Sequence, residues 1–195
     1  EFPENELYNK KKRQEVQQYV QEKFNEEFKG TTLPTLEEFL KLCKDADIEI
    51  MNIELKTPKN GDVSIVRKTI DAVKAYGLFD KLLISSFSAD LLVECKKIDP
   101  LCKTGFLYSP TQKDVMKKML FKYVDYAKSI GADYLHPHFS LVTKRYLKKL
   151  HDNGIKVNAW TVNSADVSIK LLKWGIDGII TDVPDMVNAL IAKNK

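Results

Sequence analysis

Glu54 and Lys56 close a short apolar run, Asn52-Ile53-Glu54-Leu55-Lys56. In an extended segment alternate side chains share a face, so the carboxylate and the ammonium leave on the same side. That pair suits a phosphoester: the carboxylate can ligate a divalent cation while the lysine neutralises phosphate oxygen. A plain Glu–Lys pair, buried or on the surface, is the competing reading. His136 and His138 flank Pro137 at the end of another run. An H-x-H pair can ligate metal on one side of an extended segment, or it can be two ordinary loop histidines. Trp160 ends the run that begins at Val157, where it can wall a small polyol pocket or fill the top of the fold. Asp182 follows the last run, Gly178-Ile179-Ile180-Thr181, and there helix capping competes with chemistry.

These residues need elements that bring strand ends together. Thr35 is placed to cap a helix, with Glu38 at the capping-box position and Leu36, Phe39, Leu40 and Cys43 as its stripe. From Ile48 the chain alternates. Strands are expected over 48–55, 82–85, 103–107, 134–135, 157–161 and 178–180. Helices are expected over 64–76, 90–98, 115–130, 143–153, 164–174 and 184–192. Gly77, Gly154 and Gly175 stop three of the helices. Such alternation builds a parallel α/β sheet. About six strand–helix units are present, where a closed (β/α)8 barrel needs eight. An incomplete TIM-barrel-like fold and an open doubly wound sheet both fit this count. Lys103 begins its strand and therefore belongs at the bottom, away from a mouth. No Gly-rich phosphate loop follows any strand.

The 195 residues, 44% apolar, suffice for one real core. Residues 1–30 stand apart as a basic and helical segment, with Lys10-Lys11-Lys12-Arg13 and an apolar stripe of Val16, Tyr19, Val20 and Phe24 over 14–28; the barrel domain is expected over 31–195. The net charge of +4 favours anionic partners in general and gives no reason to expect nucleic acid. No apolar run approaches the roughly 20 residues of a membrane span, and no signal peptide is expected. The compartment stays open. Three cysteines, Cys43, Cys95 and Cys102, include no C-x-x-C pair and read as free, half-buried thiols.

The joint order of several segments resembles the glycerophosphodiester phosphodiesterase family. They are Phe24-Asn25-Glu26-Glu27-Phe28-Lys29-Gly30 with Leu33-Pro34-Thr35-Leu36-Glu37-Glu38, then Asn52-Ile53-Glu54-Leu55-Lys56, then Trp160-Thr161-Val162-Asn163, and finally Gly175 through Pro184. The match is expected to start near Phe24. The resemblance implies a TIM barrel, a divalent cation (Ca²⁺ or Mg²⁺) and hydrolysis of glycerophosphodiesters to an alcohol and glycerol 3-phosphate. It implies Glu54 as metal ligand, Lys56 as the phosphate contact and Trp160 as the aromatic near a glycerol pocket; His136, from its own strand-end position, is a further candidate contact to a small phosphodiester or phosphate ligand.

The chain departs from the family in its first strands. The His-Arg-Gly and Glu-x-Asp signatures are not found, and the one His-Asp dipeptide, His151-Asp152, ends a helix at the bottom of a barrel. Pro3-Glu4-Asn5-Glu6 reads as coincidence. The chain alone is thus expected to be inactive or weakly active. Two other roles remain. One is a non-catalytic binding or assembly module that pairs through open strand edges with a second copy or a complementing fragment. The other is a different metal hydrolase built on His136 and His138.

Overall fold

The computed structural model describes residues 22, 26–27, 29–30, 33–46, 48–56, 62–119 and 122–193. The stripe of Val16, Tyr19, Val20 and Phe24 and the basic run at 10–13 lie outside the described residues. The chain forms two compact units, residues 1–39 and 40–195. Thr35 starts helix α1 (Leu36–Asp45), of which 36–39 fall in the first unit, with the expected capping box. The Glu38 N–H donates to Thr35 Oγ1 at 3.2 Å and the Thr35 N–H to Glu38 Oε2 at 2.8 Å.

The second unit alternates strands and helices. In order they are β1 (Met51–Glu54), α2 (Ser64–Ala75), β2 (Leu82–Ser86), α3 (Ala89–Ile98), β3 (Lys103–Tyr108), α4 (Lys113–Met119), α5 (Tyr123–Ser129), β4 (Tyr134–Pro137), α6 (Lys144–His151), β5 (Lys156–Ala159), α7 (Ala165–Lys173), β6 (Gly178–Ile179) and α8 (Pro184–Lys193). The six strands are parallel and lie in the order β1-β2-β3-β4-β5-β6. A doubly wound sheet reverses its strand order at a switch point. This one does not reverse, so the strands curl as a half-barrel.

Three expectations shift. The helix expected over 115–130 is two helices, broken at Lys122 (φ −120°). The first strand begins at Met51 rather than Ile48, because Met51 pairs with Leu82, the first residue of β2. Ahead of it the described chain finds no strand partner. Cys43, Cys95 and Cys102 are buried, the last two completely, and not half-buried.

Burial separates the two sheet faces. Phe106 packs edge-on against Tyr126 of α5 at 5.4 Å, and the Tyr108 hydroxyl hydrogen-bonds that of Tyr146 of α6. This face, with Leu82, Ile84, Leu135 and Val157, is the helix-covered one. The alternate residues line the inner face. Strands β2 and β4 are buried throughout, whereas β1 and β6 are part-exposed and each has one strand neighbour among the described residues.

One device recurs at the bottom of the sheet. Helices α5 and α7 each end in a glycine with positive φ, Gly131 (65°) and Gly175 (81°). The next N–H reaches back into the helix, Ala132 to Ala127 O and Ile176 to Leu171 O. An aspartate follows each time. Asp133 Oδ2 accepts from the Thr104 N–H of β3 and from Lys96 Nζ, both at 2.8 Å. Asp177 Oδ2 accepts from the Val157 N–H of β5 at 2.8 Å and lies 2.7 Å from His151 Nε2. Asp177→Ala removes both partners and leaves a strand amide unpaired. The expected loss is about 1–2 kcal/mol in urea denaturation; an unchanged midpoint would show that the clamp carries no stability.

Candidate functional site

The inner face is read directly from the register. Glu54 pairs with Ser85, Ser85 with Gly105, Gly105 with Tyr134, Leu107 with His136, and Asn158 with Gly178. Residues paired in register face the same side. Glu54, Ser85, His136 and Asn158 therefore share one face. Burial alternates from Met51 to Lys56, with Asn52, Glu54 and Lys56 exposed and Met51 and Leu55 buried. Lys56 thus stands on the same side as Glu54. The top of β1 is fixed to β2 by the Leu55 N–H on Ser85 O (2.8 Å) and by Ser86 Oγ on Leu55 O (2.6 Å). Glu54 and Lys56 are not paired with each other, and no described residue hydrogen-bonds or ion-pairs with either side chain.

The same face carries a buried polar layer. The His136 ring lies over the bare backbone of β3, so close that a Cβ on Gly105 would meet Nε2 at 2.6 Å. Asn158 lies likewise over Gly178, where a Cβ would meet Oδ1 at 2.4 Å. The two side chains meet at 3.1 Å between Asn158 Nδ2 and His136 Nε2. His136 Nδ1 and Ser85 Oγ are buried without a partner among the described residues. Burial pushes the His136 imidazole down to about pKa 4, so the ring is neutral at physiological pH.

Above this layer the strand ends converge. Trp160 is bridged to His138 across the β5 and β4 ends. Its indole N–H donates to the His136 carbonyl at 2.7 Å. Phe87, from the end of β2, meets the Trp160 ring edge-on at 5.4 Å, and His138 meets it at 5.5 Å and 89°. His138 Nδ1 lies 2.7 Å from Ser140 Oγ. The mouth therefore presents a carboxylate and a cation at β1 and an aromatic cluster drawn from β2, β4 and β5.

The sequence-derived candidates divide accordingly. Glu54, Lys56 and Trp160 share a face and an end of the sheet. His136 is on that face but wholly buried, and holds Trp160 through its carbonyl; His138, half-buried, is the imidazole at the mouth. Asp182 clasps the neighbouring loop instead: its carboxylate accepts from Asn163 Nδ2 at 2.8 Å and its N–H donates to Asn163 Oδ1 at 3.0 Å. His151 sits at the opposite end beside Asp177, and Lys103 starts β3 with its ammonium on the Asp80 carbonyl. Sequence reasoning missed Ser85, Phe87 and Asn158. The signal was a polar residue inside each of two apolar strands and an aromatic one residue past a strand end.

Calcium and magnesium take six or more oxygen ligands. Glu54 supplies one carboxylate, the hydroxyl of its register neighbour Ser85 is buried, and no group of three His, Cys, Asp or Glu side chains occurs among the described residues. The described residues on their own therefore do not make a centre for either ion.

The architecture and mouth define half of a TIM-type (β/α) barrel with acid, cation and aromatic groups at the carboxyl ends of its strands. The chain matches the Glycerophosphoryl diester phosphodiesterase family over residues 2–186 and belongs to it. That match begins well before Phe24 and takes in Pro3-Glu4-Asn5-Glu6. Among curated proteins the chain is 33% identical over 171 residues to a glycerophosphodiester phosphodiesterase of Caldanaerobacter subterraneus, covering 88% of this chain and 67% of that protein. It is 32% identical to one of Bacillus altitudinis, covering 83% and 64%. Among solved structures, a phosphodiesterase of Oleispira antarctica in complex with the product sn-glycerol-3-phosphate has a TM-score of 0.75 at 24% identity, over 86% of this chain and 64% of the other. The chain thus spans about two thirds of the length of these relatives.

Proposed function

We propose that this chain carries the substrate-binding side of a mouth for glycerophosphodiesters. The reading rests chiefly on one observation: Glu54, Lys56 and Trp160 share the inner face and the carboxyl end of one parallel sheet. Lys56, exposed and unpaired among the described residues, neutralises the phosphodiester. Trp160 walls the polyol, held upright by the carbonyl of His136. The relative bound to sn-glycerol-3-phosphate is consistent with such a ligand. In the hydrolysis, water adds at phosphorus, the bond from phosphorus to the alcohol oxygen breaks, and the leaving alcohol takes a proton.

Of the three histidines, His138 stands at the mouth, His136 is buried and neutral, and His151 is at the other end. Among the described residues one proton-transfer group and one carboxylate stand at the mouth, which makes efficient turnover by the chain alone unexpected. Tryptophan fluorescence should follow binding of glycerol 3-phosphate. Lys56→Gln should weaken it about tenfold, the scale of one charge-assisted hydrogen bond. Hydrolysis of glycerophosphocholine with Ca²⁺ or Mg²⁺ should be weak or undetectable. Unchanged binding in Lys56→Gln, or brisk turnover that survives Glu54→Gln, would contradict the reading.

The edges of β1 and β6, which have no further strand neighbour among the described residues, favour a second reading, in which the sheet pairs with a second copy or a complementing segment. A clean monomer in sedimentation analysis would rule out self-pairing.

A further inference from the structure

A groove of about 520 Å³ lies on the outer wall, away from the mouth, lined by Lys144, Arg145, Lys148 and His151 of α6 and by Trp174 at the end of α7. The sequence of α6 explains its charge. Tyr146, Leu147 and Leu150 turn into the core, which leaves lysine, arginine and histidine to the outer side. The lining is unusual in its hydrogen-bonding chemistry. Lysine, arginine and the indole N–H can only donate, and no carboxylate lines the groove. The acids nearby are already engaged: Asp152 with Lys148 Nζ at 2.7 Å, and Asp177 with His151 and the Val157 N–H. Lys144 and Arg145 have no anionic partner among the described residues. One face of Trp174 carries Lys170 Nζ at 4.7 Å, which adds a further cation beside the groove.

Most of the groove wall is apolar, but its polar groups are chiefly donors, which suits a ligand carrying acceptors. The fork of Arg145 matches two oxygens of one oxyanion, and Lys144 adds a point charge on the same helix face, while Lys148 is held by Asp152. We propose that this groove is a second anion site, for a phosphate group, separate from the inner-face mouth. It stands over β5, which has strand neighbours on both sides, so it is not a by-product of an open sheet edge. The phosphate can come from a free small molecule or from a phospholipid headgroup, since both present the same oxygens. This proposal does not depend on the proposed function.

Inorganic phosphate is titrated by calorimetry into the wild-type chain, into Lys144→Gln/Arg145→Gln and into Lys56→Gln. In parallel, vesicles of phosphatidylcholine with and without phosphatidylglycerol are floated with each protein. Binding of phosphate should weaken about tenfold or more in Lys144→Gln/Arg145→Gln. It should persist in Lys56→Gln, which separates this groove from the mouth. Flotation with phosphatidylglycerol vesicles, lost in the same double variant, would identify the headgroup as the source; absence of flotation alongside phosphate binding would identify a soluble phosphate. No binding in either arm, or binding indifferent to Lys144 and Arg145, overturns the proposal. Both substitutions are on an exposed helix face, and far-ultraviolet circular dichroism confirms that the variants remain folded.

Discussion

Gly105→Ala should lower the unfolding free energy by about 3 kcal/mol, read from urea denaturation. The added methyl would sit 2.6 Å from Nε2 and 2.7 Å from Cε1 of His136. The obstacle is a stiff ring at the centre of a buried wall, not the end of a flexible chain. His136 must tilt away, and in doing so it gives up Asn158. Overpacking of this kind costs about 1–3 kcal/mol, and the broken polar contact adds about 1 kcal/mol. Trp160 hangs from the His136 carbonyl, so its fluorescence should shift as well. A double-mutant cycle with His136→Ala should recover part of the loss, because the methyl then has room. A loss below about 1 kcal/mol would mean that the ring is not held where it lies.

Acid should weaken the fold through the same ring. The His136 imidazole titrates near 4 in the folded chain, pushed down by burial, and near 6.5 when unfolded. Between these values the unfolded chain binds the extra proton and the folded one does not. Stability is therefore fully present above about pH 6.5, falls as the pH drops towards 4, and levels off below. The difference between the two values corresponds to about 3 kcal/mol. His136→Gln retains a polar contact to Asn158 but does not titrate. Stability measured at pH 7 and pH 4.5 should fall markedly less in that variant than in the wild type. Parallel losses in the two proteins would assign the acid sensitivity to the carboxylates instead.

The parts of this site that follow from one strand's own period were legible in the sequence. Alternation placed Glu54 and Lys56 together, and the position of Trp160 near the end of the strand expected over 157–161 pointed it to the mouth. The parts that depend on two strands at once were not. That His136 rests on Gly105, or Asn158 on Gly178, requires the register, and the register is set by pairings that the sequence does not print. Phe87 belongs to the mouth only because β2 and β5 curl towards each other. The break at Lys122 was hidden for another reason: apolar residues continue at helical spacing on both sides and neither glycine nor proline marks the gap. The start of β1 was misplaced because Ile48 and Ile50 look like strand residues, while Met51 is the first with a partner; Ile50 is 48% exposed.

The two aspartate clamps have a consequence for how this sheet comes apart. Each carboxylate links the amide of one strand to the start of the next, β3 to β4 through Asp133 and β5 to β6 through Asp177, and adds one helix contact, Lys96 or His151. Cohesion of this kind is short-ranged, as in a stack of repeats, and each seam opens with little effect on the one beyond it. Amide exchange should accordingly be graded: fastest along the rim at β1, slower at the latched pair β5–β6, and slowest in the middle staves.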